Sequence, residues 1–401
     1  MNQPRARLSM NNPRNRCAIC KGHKLLCGRS FCPILRKLRI AKSIYNSLKL
    51  DKDIFGESPP HLFVGEASYP YVRVAPSVTQ FENSSILSDP LKWEVISLDD
   101  AVKLRLVLVM GEKPVHISSS IDFDGLVMST EPVDSEMILA KRPTFKINLD
   151  DVAPVLNPKA KLEKLRVVEN PKVPNFVEKI VNDDLKAEDC IIALYERGFS
   201  EYYIIRLLSA GLLGIKKRLV PTRWGITVVE DKIGENIKRE IINYKPIDKF
   251  EIYHSEFLGN IYTILLIPDS YAFELSEVWL PKSIFGFSGV LIDYEFFKKK
   301  GYANETLGAY YSARLSVLEF LRNRKKQAKV VVFREITQEY YIPIGSWQIR
   351  VGVKKALEKR VAVFNDIKSS LKYLEELLAH PLKDYLKRSV ILRNATLTSW
   401  I

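Results

Sequence analysis

Apolar residues recur along the chain with two different spacings, and each spacing predicts its own kind of element. A spacing near 3.6 residues predicts amphipathic helices over 34–50, 306–324, 366–379 and 381–388. Short runs of β-branched and aromatic residues predict strands within 56–77, across 249–291 and at 329–333. Strands that alternate irregularly with helices predict an α+β fold, in which helices flank a mixed, largely antiparallel sheet.

The middle of the chain adds more local signals. Residues 187–214 predict two helices joined at 198–200, where a serine can cap the second helix. Because this pair ends beside the basic run 216–218, it is either a packed helical hairpin or a helix-turn-helix that reads DNA. Residues 226–229 predict a strand, and the prolines and charges of 151–176 predict an exposed connection.

The positive charge of the chain is concentrated at its N-terminus. The 401 residues carry a net charge of +14, and the first 50 residues hold 12 Lys or Arg without any acidic residue. A local excess of this kind favours an anion-binding surface with a polyphosphate partner such as DNA, although a solvated basic tail or a membrane-surface contact also fits it. No apolar run reaches membrane-spanning length, and no apolar segment follows the basic N-terminus as in a secretory signal. We therefore expect a cytoplasmic, nucleoid-associated protein without a membrane partner.

Four cysteines lie close together near the N-terminus, with the spacing C-x2-C-x6-C-x4-C. They are Cys17, Cys20, Cys27 and Cys32. Four thiolates at such spacing predict a closed structural zinc site, which would supply the folding energy of a module too small for its own apolar core. His23 can replace one thiolate, and a disulfide pair is the alternative to a metal.

The last eight residues combine a short polar start with exposed apolar residues. An aliphatic residue at the fourth position and large apolar residues at the seventh and eighth form the pattern of a peptide that a partner buries. This pattern resembles the peptide Q-x-x-aliphatic-x-x-aromatic-apolar (PIP motif) that binds the archaeal and eukaryotic sliding clamp, PCNA. The predicted clamp-binding residues are Asn394, in the glutamine position, with Leu397, Trp400 and Ile401.

These signals divide the chain into five parts. We predict a basic arm (1–16), a zinc module with a basic helix (17–50), a central α+β body (51–350), C-terminal helices (351–392) and a flexible clamp-interacting tail (393–401).

Motifs along the whole length give the sequence a family resemblance. They comprise the four-cysteine loop with Leu26-Cys27-Gly28 and Cys32-Pro33, then Val64-Gly65, Tyr69-Pro70, Val74-Ala75-Pro76, Leu219-Val220-Pro221-Thr222-Arg223-Trp224, Arg334-Glu335-Ile336, Pro343-Ile344-Gly345-Ser346-Trp347 and the C-terminal peptide. With these motifs the chain resembles the archaeal Nre family of DNA repair proteins. The resemblance implies a role in DNA damage repair that is coupled to the sliding clamp, and it implies no settled chemical activity.

The candidate DNA contacts are cations of the N-terminal region and one loop that pairs an arginine with a tryptophan. They are Arg5, Arg7, Arg14, Arg16, Lys21, Lys24, Arg36, Lys37, Arg39, Arg223 and Trp224. A guanidinium beside an indole can hold a phosphate and stack a base. The other interpretation makes Trp224 a core residue and Arg223 part of an ion pair.

Enzymatic activity stays open, with two candidate groups of residues. Asp293 and Glu295 at a predicted strand end weakly resemble the carboxylates of a metal-dependent nuclease. Glu335 and Arg334, combined with an arginine from elsewhere such as Arg73, can serve an ADP-ribosyltransferase that takes NAD as its cofactor. The alternative is that Arg334 and Glu335 form ion pairs that position the following loop.

Overall fold

The computed structural model describes residues 17, 19–145, 157–296 and 301–398, and the side chains up to residue 395. Within these ranges, two six-stranded mixed sheets and twelve α-helices confirm the predicted α+β class. Eight of the strand pairs are antiparallel and two, β4 with β6 and β9 with β11, are parallel.

The first sheet lies in the N-terminal half and has the strand order β1-β5-β6-β4-β3-β2. Its strands and the short helices around them are α1 (Pro33–Ser47), β1 (Asp53–Ser58), β2 (Leu62–Ser68), β3 (Tyr71–Val78), α2 (Leu98–Leu106), β4 (Val109–His116), α3 (Asp124–Met128), β5 (Val133–Leu139) and β6 (Lys159–Val167). Strand β5 alternates strictly between buried and partly exposed residues, as expected for a sheet with one face in the core.

The middle of the chain folds into four helices in sequence. They are α4 (Asn175–Val181), α5 (Ala187–Glu196), α6 (Glu201–Ser209) and α7 (Thr222–Ile241). The predicted pair in 187–214 is confirmed, and the Ser200 hydroxyl accepts the Tyr203 N–H (3.3 Å) as the N-cap of α6. Every residue of α6 except Tyr202 is buried, so this helix has no open face with which to read a DNA groove. The packed hairpin is therefore the correct interpretation of the pair.

The second sheet has the strand order β10-β9-β11-β8-β7-β12. The elements of this half are β7 (Phe250–Phe257), β8 (Asn260–Ile267), β9 (Ala272–Trp279), β10 (Val290–Glu295), α8 (Gly308–Arg324), β11 (Lys329–Ile336), α9 (Trp347–Leu357), β12 (Arg360–Phe364), α10 (Ile367–Leu377), α11 (Leu382–Arg388) and α12 (Val390–Thr398). Through β12 the sheet extends into residues 351–392, the segment for which C-terminal helices were predicted.

The two faces of the second sheet belong to different cores, and strand β11 shows this residue by residue. Val330 and Val332 join a core that contains side chains of both sheets and of helices α5–α9. Val331 and Phe333 join a second core, formed with helices α10–α12. Burial on both faces explains the continuous apolar run that predicted a strand at 329–333.

Two interpretations of local pattern were wrong, for physical reasons that the fold makes clear. Residues 226–229 belong to helix α7 because buried positions such as Val229, Ile233 and Ile237 recur at helical spacing against neighbouring helices. The segment 151–176 contains β6, which pairs with β4 and β5 and is therefore part of the sheet. The apolar residues of 100–110 fit both a helical and a strand spacing, and this segment forms the end of α2 and the start of β4.

Candidate nucleic-acid interface

The hairpin between β2 and β3 ends in a turn that holds two tyrosines outward. The Tyr69–Pro70 peptide bond is cis, and Pro70 provides no N–H for strand pairing. Tyr69 and Tyr71 are 52 % and 59 % exposed, while Val72 and Val74 on the opposite face of β3 are buried. Strand alternation thus fixes Tyr71 toward solvent.

The N-terminus of helix α7 lies against this hairpin and adds a third ring. The Thr222 hydroxyl accepts the Val64 N–H (2.8 Å), which joins the first residue of the helix to β2. Arg223 forms an ion pair with Glu66 (3.1 Å), also on β2. Trp224 is 43 % exposed, and its ring centroid lies 5.1 Å from that of Tyr69. The tryptophan is therefore a surface residue supported by a neighbouring aromatic ring.

A basic loop borders the same hairpin on its other side. The Ile117 N–H donates to the Pro70 carbonyl (3.0 Å), and the Leu219 N–H donates to the Ile117 carbonyl (2.8 Å). These bonds hold the loop 216–218 next to the hairpin. The three cations of this loop, Lys216, Lys217 and Arg218, are exposed. We call Tyr69, Tyr71, Trp224, Arg223 and the loop 216–218 the hairpin surface.

An open cleft adjoins the hairpin surface on the outer face of the first sheet. Its volume is about 450 Å³, and it is lined by Ser68, Tyr71, Arg73, Glu112, Pro114 and Lys161. Glu112 forms an ion pair with Lys159 (2.5 Å) and lies 3.9 Å from the half-exposed Arg73. The Glu112 carboxylate thus lies among three cations, Arg73, Lys159 and Lys161. The electrostatic potential of the cleft is therefore positive.

The basic helix α1 is less available to DNA than its sequence suggests. Lys37 is only 2 % exposed, because it lies on the face that α1 packs against the body. Arg36 forms an ion pair with Asp99 (2.9 Å), and its guanidinium lies 4.8 Å from the Tyr341 ring centroid. Because Lys37 is buried, the prediction that it contacts DNA was wrong. Arg36 keeps a 43 % exposed side chain beside its ion pair, so its contact with DNA stays a prediction.

The remaining predicted cations fall into two groups. Arg39, Lys21 and Lys24 are exposed. The cations of the arm, Arg5, Arg7, Arg14 and Arg16, lie outside the described residues.

Two family models match this chain and together cover most of it. The model of the N-terminal part of archaeal Nre proteins matches residues 26–286, and that of the C-terminal part matches 295–400. The chain belongs to the archaeal Nre family.

Curated relatives agree with this assignment over most of their length. The Nre chain is 39 % identical to "DNA repair protein NreA" of Archaeoglobus fulgidus over 367 residues, which cover 89 % of this chain and 92 % of the relative. It is 33 % identical to "DNA repair protein NreB" of the same organism over 90 % of this chain and 92 % of that one. It is 34 % identical to "DNA repair protein NreA" of Haloferax volcanii, with coverage of 84 % and 86 %. No solved structure matches the chain.

One of the four cysteines of the Nre chain, Cys20, has a thiol whose surroundings favour the thiolate form. Backbone N–H groups, that of Leu26 first, lower the pKa of the Cys20 thiol, and a thiolate is the form that binds zinc. Cys17 and Cys27 are exposed, whereas Cys20 is buried. Among the described residues, no three His, Cys, Asp or Glu side chains are grouped closely enough to hold a metal ion. The chemistry of Cys20 thus fits a zinc ligand, and the assembly of the four ligands stays a prediction.

Arg334 and Glu335 point to opposite faces of β11, so they cannot act on one substrate together. Arg334 forms an ion pair with Glu277 (2.5 Å) on the side of the larger core. Glu335, on the other side, accepts the N–H groups of Ala379 (2.9 Å) and His380 (2.6 Å). The structure places both charges in the interior, where they hold neighbouring elements in position.

The other catalytic candidates are likewise engaged or distant. Asp293 accepts three backbone N–H groups, those of Asn304, Glu305 and Thr306, and so shapes the turn before α8. Glu295 pairs with Arg314 (2.7 Å) in the interior. Arg73 lies on the first sheet, and the five candidates do not come together in one cleft.

The predicted tail begins inside the last helix of the Nre chain. Helix α12 continues to Thr398, and its first N–H groups, from Val390 and Ile391, donate to the buried Glu274. Ala395 is packed in the second core, while Asn394 is exposed. Leu397 lies in this helix, and Trp400 and Ile401 lie outside the described residues. The flexible part of the tail, predicted from residue 393, is thus helical up to Thr398.

The sequence pointed to Arg223 and Trp224, but it gave no sign of their neighbours. Tyr69 and Tyr71 are more than 150 residues away in sequence, and Tyr69 meets Trp224 only through the packing of α7 on β2. The one available signal was the tyrosines on either side of Pro70, which a hairpin turn exposes together.

Within the described residues, no helix is long and apolar enough to cross a membrane.

Proposed function

We propose that this chain is a DNA repair factor that binds DNA through its hairpin surface and is recruited by the sliding clamp through its C-terminal peptide. The observation that carries the DNA part is the group of three aromatic rings, Tyr69, Tyr71 and Trp224, each 43–59 % exposed and bordered by cations. The family and the printed names of its relatives, DNA repair proteins NreA and NreB, support the repair role.

The chemistry of the hairpin surface favours unpaired bases over an intact duplex. An aromatic side chain binds a base through its flat face, which is accessible only when the base has left its stack. Trp224 and Tyr69 offer such faces side by side, with Arg223 next to them for a backbone phosphate. Glu66 holds Arg223 on the surface until a phosphate competes for it. DNA that contains a single-stranded or distorted segment is the substrate class that fits this arrangement.

The basic arm and the exposed cations of the N-terminal region would add contacts without sequence preference. Each phosphate contact by Lys or Arg releases counterions, so it strengthens binding and makes it depend on salt. The phosphate contacts would bring the protein to DNA, and hence to the nucleoid, without regard to sequence. The hairpin surface would then bind unpaired bases.

Replacing Trp224 by Ala, or Tyr69 by Ala, should weaken binding to a single-stranded oligonucleotide by roughly tenfold, because one stacked base is worth about 1–3 kcal/mol. Affinity measured by fluorescence anisotropy at fixed salt tests this. Tyr302→Ala is a matched control, since Tyr302 is similarly exposed (48 %) on the other half of the chain. Equal losses in Tyr302→Ala and Trp224→Ala, or none in either, would show that DNA binds elsewhere.

The contribution of the loop cations to DNA binding can be measured from the salt dependence of the affinity. When Lys216, Lys217 and Arg218 are all replaced by Gln, the slope of log affinity against log salt should fall by about 2, since each single-strand phosphate contact contributes about 0.7. If the triple variant folds normally and its slope of log affinity against log salt is unchanged, the loop does not contact DNA.

We propose in addition that Cys17, Cys20, Cys27 and Cys32 hold one structural zinc ion, which fixes the loop that precedes α1. The backbone donors to Cys20 support this, as does the docking of the loop's end on the body through Arg29, which donates to the carbonyls of Lys282 and Ser283. A closed site of four thiolates serves folding and leaves no coordination position for catalysis.

Purified protein should contain about one zinc ion per chain, and the double variant Cys17→Ser with Cys27→Ser should lose it, because two of four ligands are gone. Metal content by mass spectrometry of the intact protein or by atomic emission measures this. Cys190→Ala is the control, since Cys190 is fully buried in the body and should not affect zinc. Stoichiometric zinc in the double variant contradicts the assignment.

A further inference from the structure

The cleft on the outer face of the first sheet shares an aromatic side chain with the hairpin surface. Tyr71 lines the cleft and is exposed. His116 lies directly opposite it on strand β4, and the two ring centroids are 5.3 Å apart at an interplanar angle of 70°. This edge-on contact supports the Tyr71 ring from one side, so its exposed area is held in place for a planar ligand.

The sheet face beside the cleft is bare at Gly65. This residue of β2 pairs directly with Arg73 of β3, so both are directed to the same outer face. A Cβ at Gly65 would lie 3.9 Å from the Cβ of Arg73 and 3.3 Å from Cε1 of Phe63. A larger side chain at Gly65 would therefore fill the space next to the Arg73 side chain, which the glycine leaves open.

The charges of the cleft favour a bound anion. Glu112 lies opposite Lys161 in the parallel pair of β4 and β6, and both residues line the cleft. The Glu112 carboxylate accepts the Lys159 ammonium (2.5 Å), but its other oxygen is 3.9 Å from Nη1 of Arg73, beyond hydrogen-bond distance. The half-exposed guanidinium of Arg73 thus keeps donors for another acceptor. A phosphate in the cleft would meet two cations, Arg73 and Lys161.

The size and lining of the cleft suit a single nucleotide. Its volume of about 450 Å³ lies within the range of about 300–1,000 Å³ that is common for small-ligand sites. It combines an aromatic ring, on which a base can stack, with cations for the phosphate of the same nucleotide. A base inside an intact duplex cannot reach Tyr71, because both of its faces are covered by its neighbours.

We propose that this cleft binds one unstacked nucleotide of a DNA strand, with the Tyr71 ring against the base and Arg73 and Lys161 on the phosphate. The inference rests on the proposed function, because the same strand continues onto the hairpin surface at Tyr69 and Trp224. It adds a feature of the substrate. The strand that binds has at least one base out of its stack, and that base lies beside the turn at Pro70.

The first test removes the phosphate contacts. The double variant Arg73→Gln with Lys161→Gln should weaken binding of full-length protein to a labelled oligo-dT strand about tenfold or more. The slope of log affinity against log salt should fall by about 1, since each single-strand phosphate contact contributes about 0.7. Fluorescence anisotropy over a range of salt concentrations measures both. Lys164→Gln with Arg166→Gln is the control, because it removes two exposed cations of β6 that do not line the cleft.

The carboxylate of the cleft gives a change of opposite sign. Glu112→Gln should tighten binding of the same strand about two- to fivefold, because the phosphate no longer competes with a carboxylate for Arg73. Weaker binding by Glu112→Gln would contradict the assignment of the cations to a phosphate.

The second test isolates the stacked base. A DNA duplex with one bulged nucleotide should bind about tenfold tighter than the same duplex with an abasic nucleotide in the bulge, since only the first offers a base to Tyr71. The difference should disappear in Tyr71→Ala and persist in Tyr71→Phe, which keeps a ring. A structural role of Tyr71 would weaken both duplexes equally, and that result overturns the inference.

Comparison with Trp224→Ala separates this inference from the proposed function. Weaker binding in Trp224→Ala with none in the cleft double variant keeps the hairpin surface and overturns the cleft. Weaker binding in the cleft double variant alone keeps the cleft as a strand contact, and the role of the hairpin rings fails. Calorimetry with dTMP tests the source of the nucleotide. If dTMP binds as tightly as oligo-dT and the double variant loses both, the cleft takes a free nucleotide and the assignment to a DNA strand is wrong.

Discussion

Replacing Trp400 and Ile401 together by Ala is expected to abolish measurable binding to the sliding clamp, with a loss of affinity of at least about 100-fold. Burial of two large apolar side chains on a partner contributes roughly 3–5 kcal/mol, and a factor of ten in affinity corresponds to about 1.4 kcal/mol. Calorimetry or surface plasmon resonance with purified clamp measures the loss. Substitution is preferable to truncation at residue 394, because α12 contributes Ala395 to the second core.

Thr398→Ala is the matched control for the clamp experiment, since it changes a position of the peptide pattern that carries no apolar or amide requirement. It should bind the clamp as the unchanged protein does. The double variant should also keep the melting temperature and the DNA affinity of the parent, because the hairpin surface belongs to the other half of the chain. Clamp binding that survives the double variant would exclude the C-terminal peptide as the recruitment site.

The second large effect concerns Glu335, which we expect to be structural. Its carboxylate accepts the N–H groups of Ala379 and His380 and the hydroxyl of Tyr385 (3.1 Å), so it joins β11 to the segment between α10 and α11. Glu335→Ala leaves the buried donors of His380 and Tyr385, and the partly buried N–H of Ala379, without this acceptor. The free energy of unfolding should fall by about 3–5 kcal/mol, because each donor left unsatisfied in the interior costs about 1–3 kcal/mol.

Urea denaturation followed by tryptophan fluorescence and circular dichroism measures this change. Glu339→Ala is the control, because Glu339 lies four residues later and is exposed, so its loss should change stability by less than about 0.5 kcal/mol. A variant Glu335→Ala that keeps parental stability and loses only an activity on DNA would restore the catalytic interpretation of this residue.

Local chemistry made several features of this protein predictable from sequence. Ser200 caps α6 because a serine oxygen satisfies an N–H group of the helix's first turn, and this needs no distant residue. The strand at 329–333 was predictable because burial on both faces requires a continuous apolar run. Family membership, too, was evident from motifs spread over the whole chain.

Charged residues were assigned less reliably, since a sequence does not say which partner a charge will meet. Lys37 and Arg36 read as part of a basic surface, but the packing of α1 on the body buries one and pairs the other with Asp99. Arg334 and Glu335 are neighbours in sequence, and strand alternation sends them to opposite cores.

The sequence by itself determined the α+β class, the helices α8, α10 and α11 of the C-terminal half, and the choice of Trp224 as a candidate contact. These features rest on periodicity, capping and composition, which act over a few residues. Only the tertiary structure brought Tyr69 to Trp224, or Arg36 of helix α1 to Asp99 and Tyr341. Such groups come from elements that are far apart in sequence, and their proximity depends on how sheets and helices pack, which no local pattern encodes.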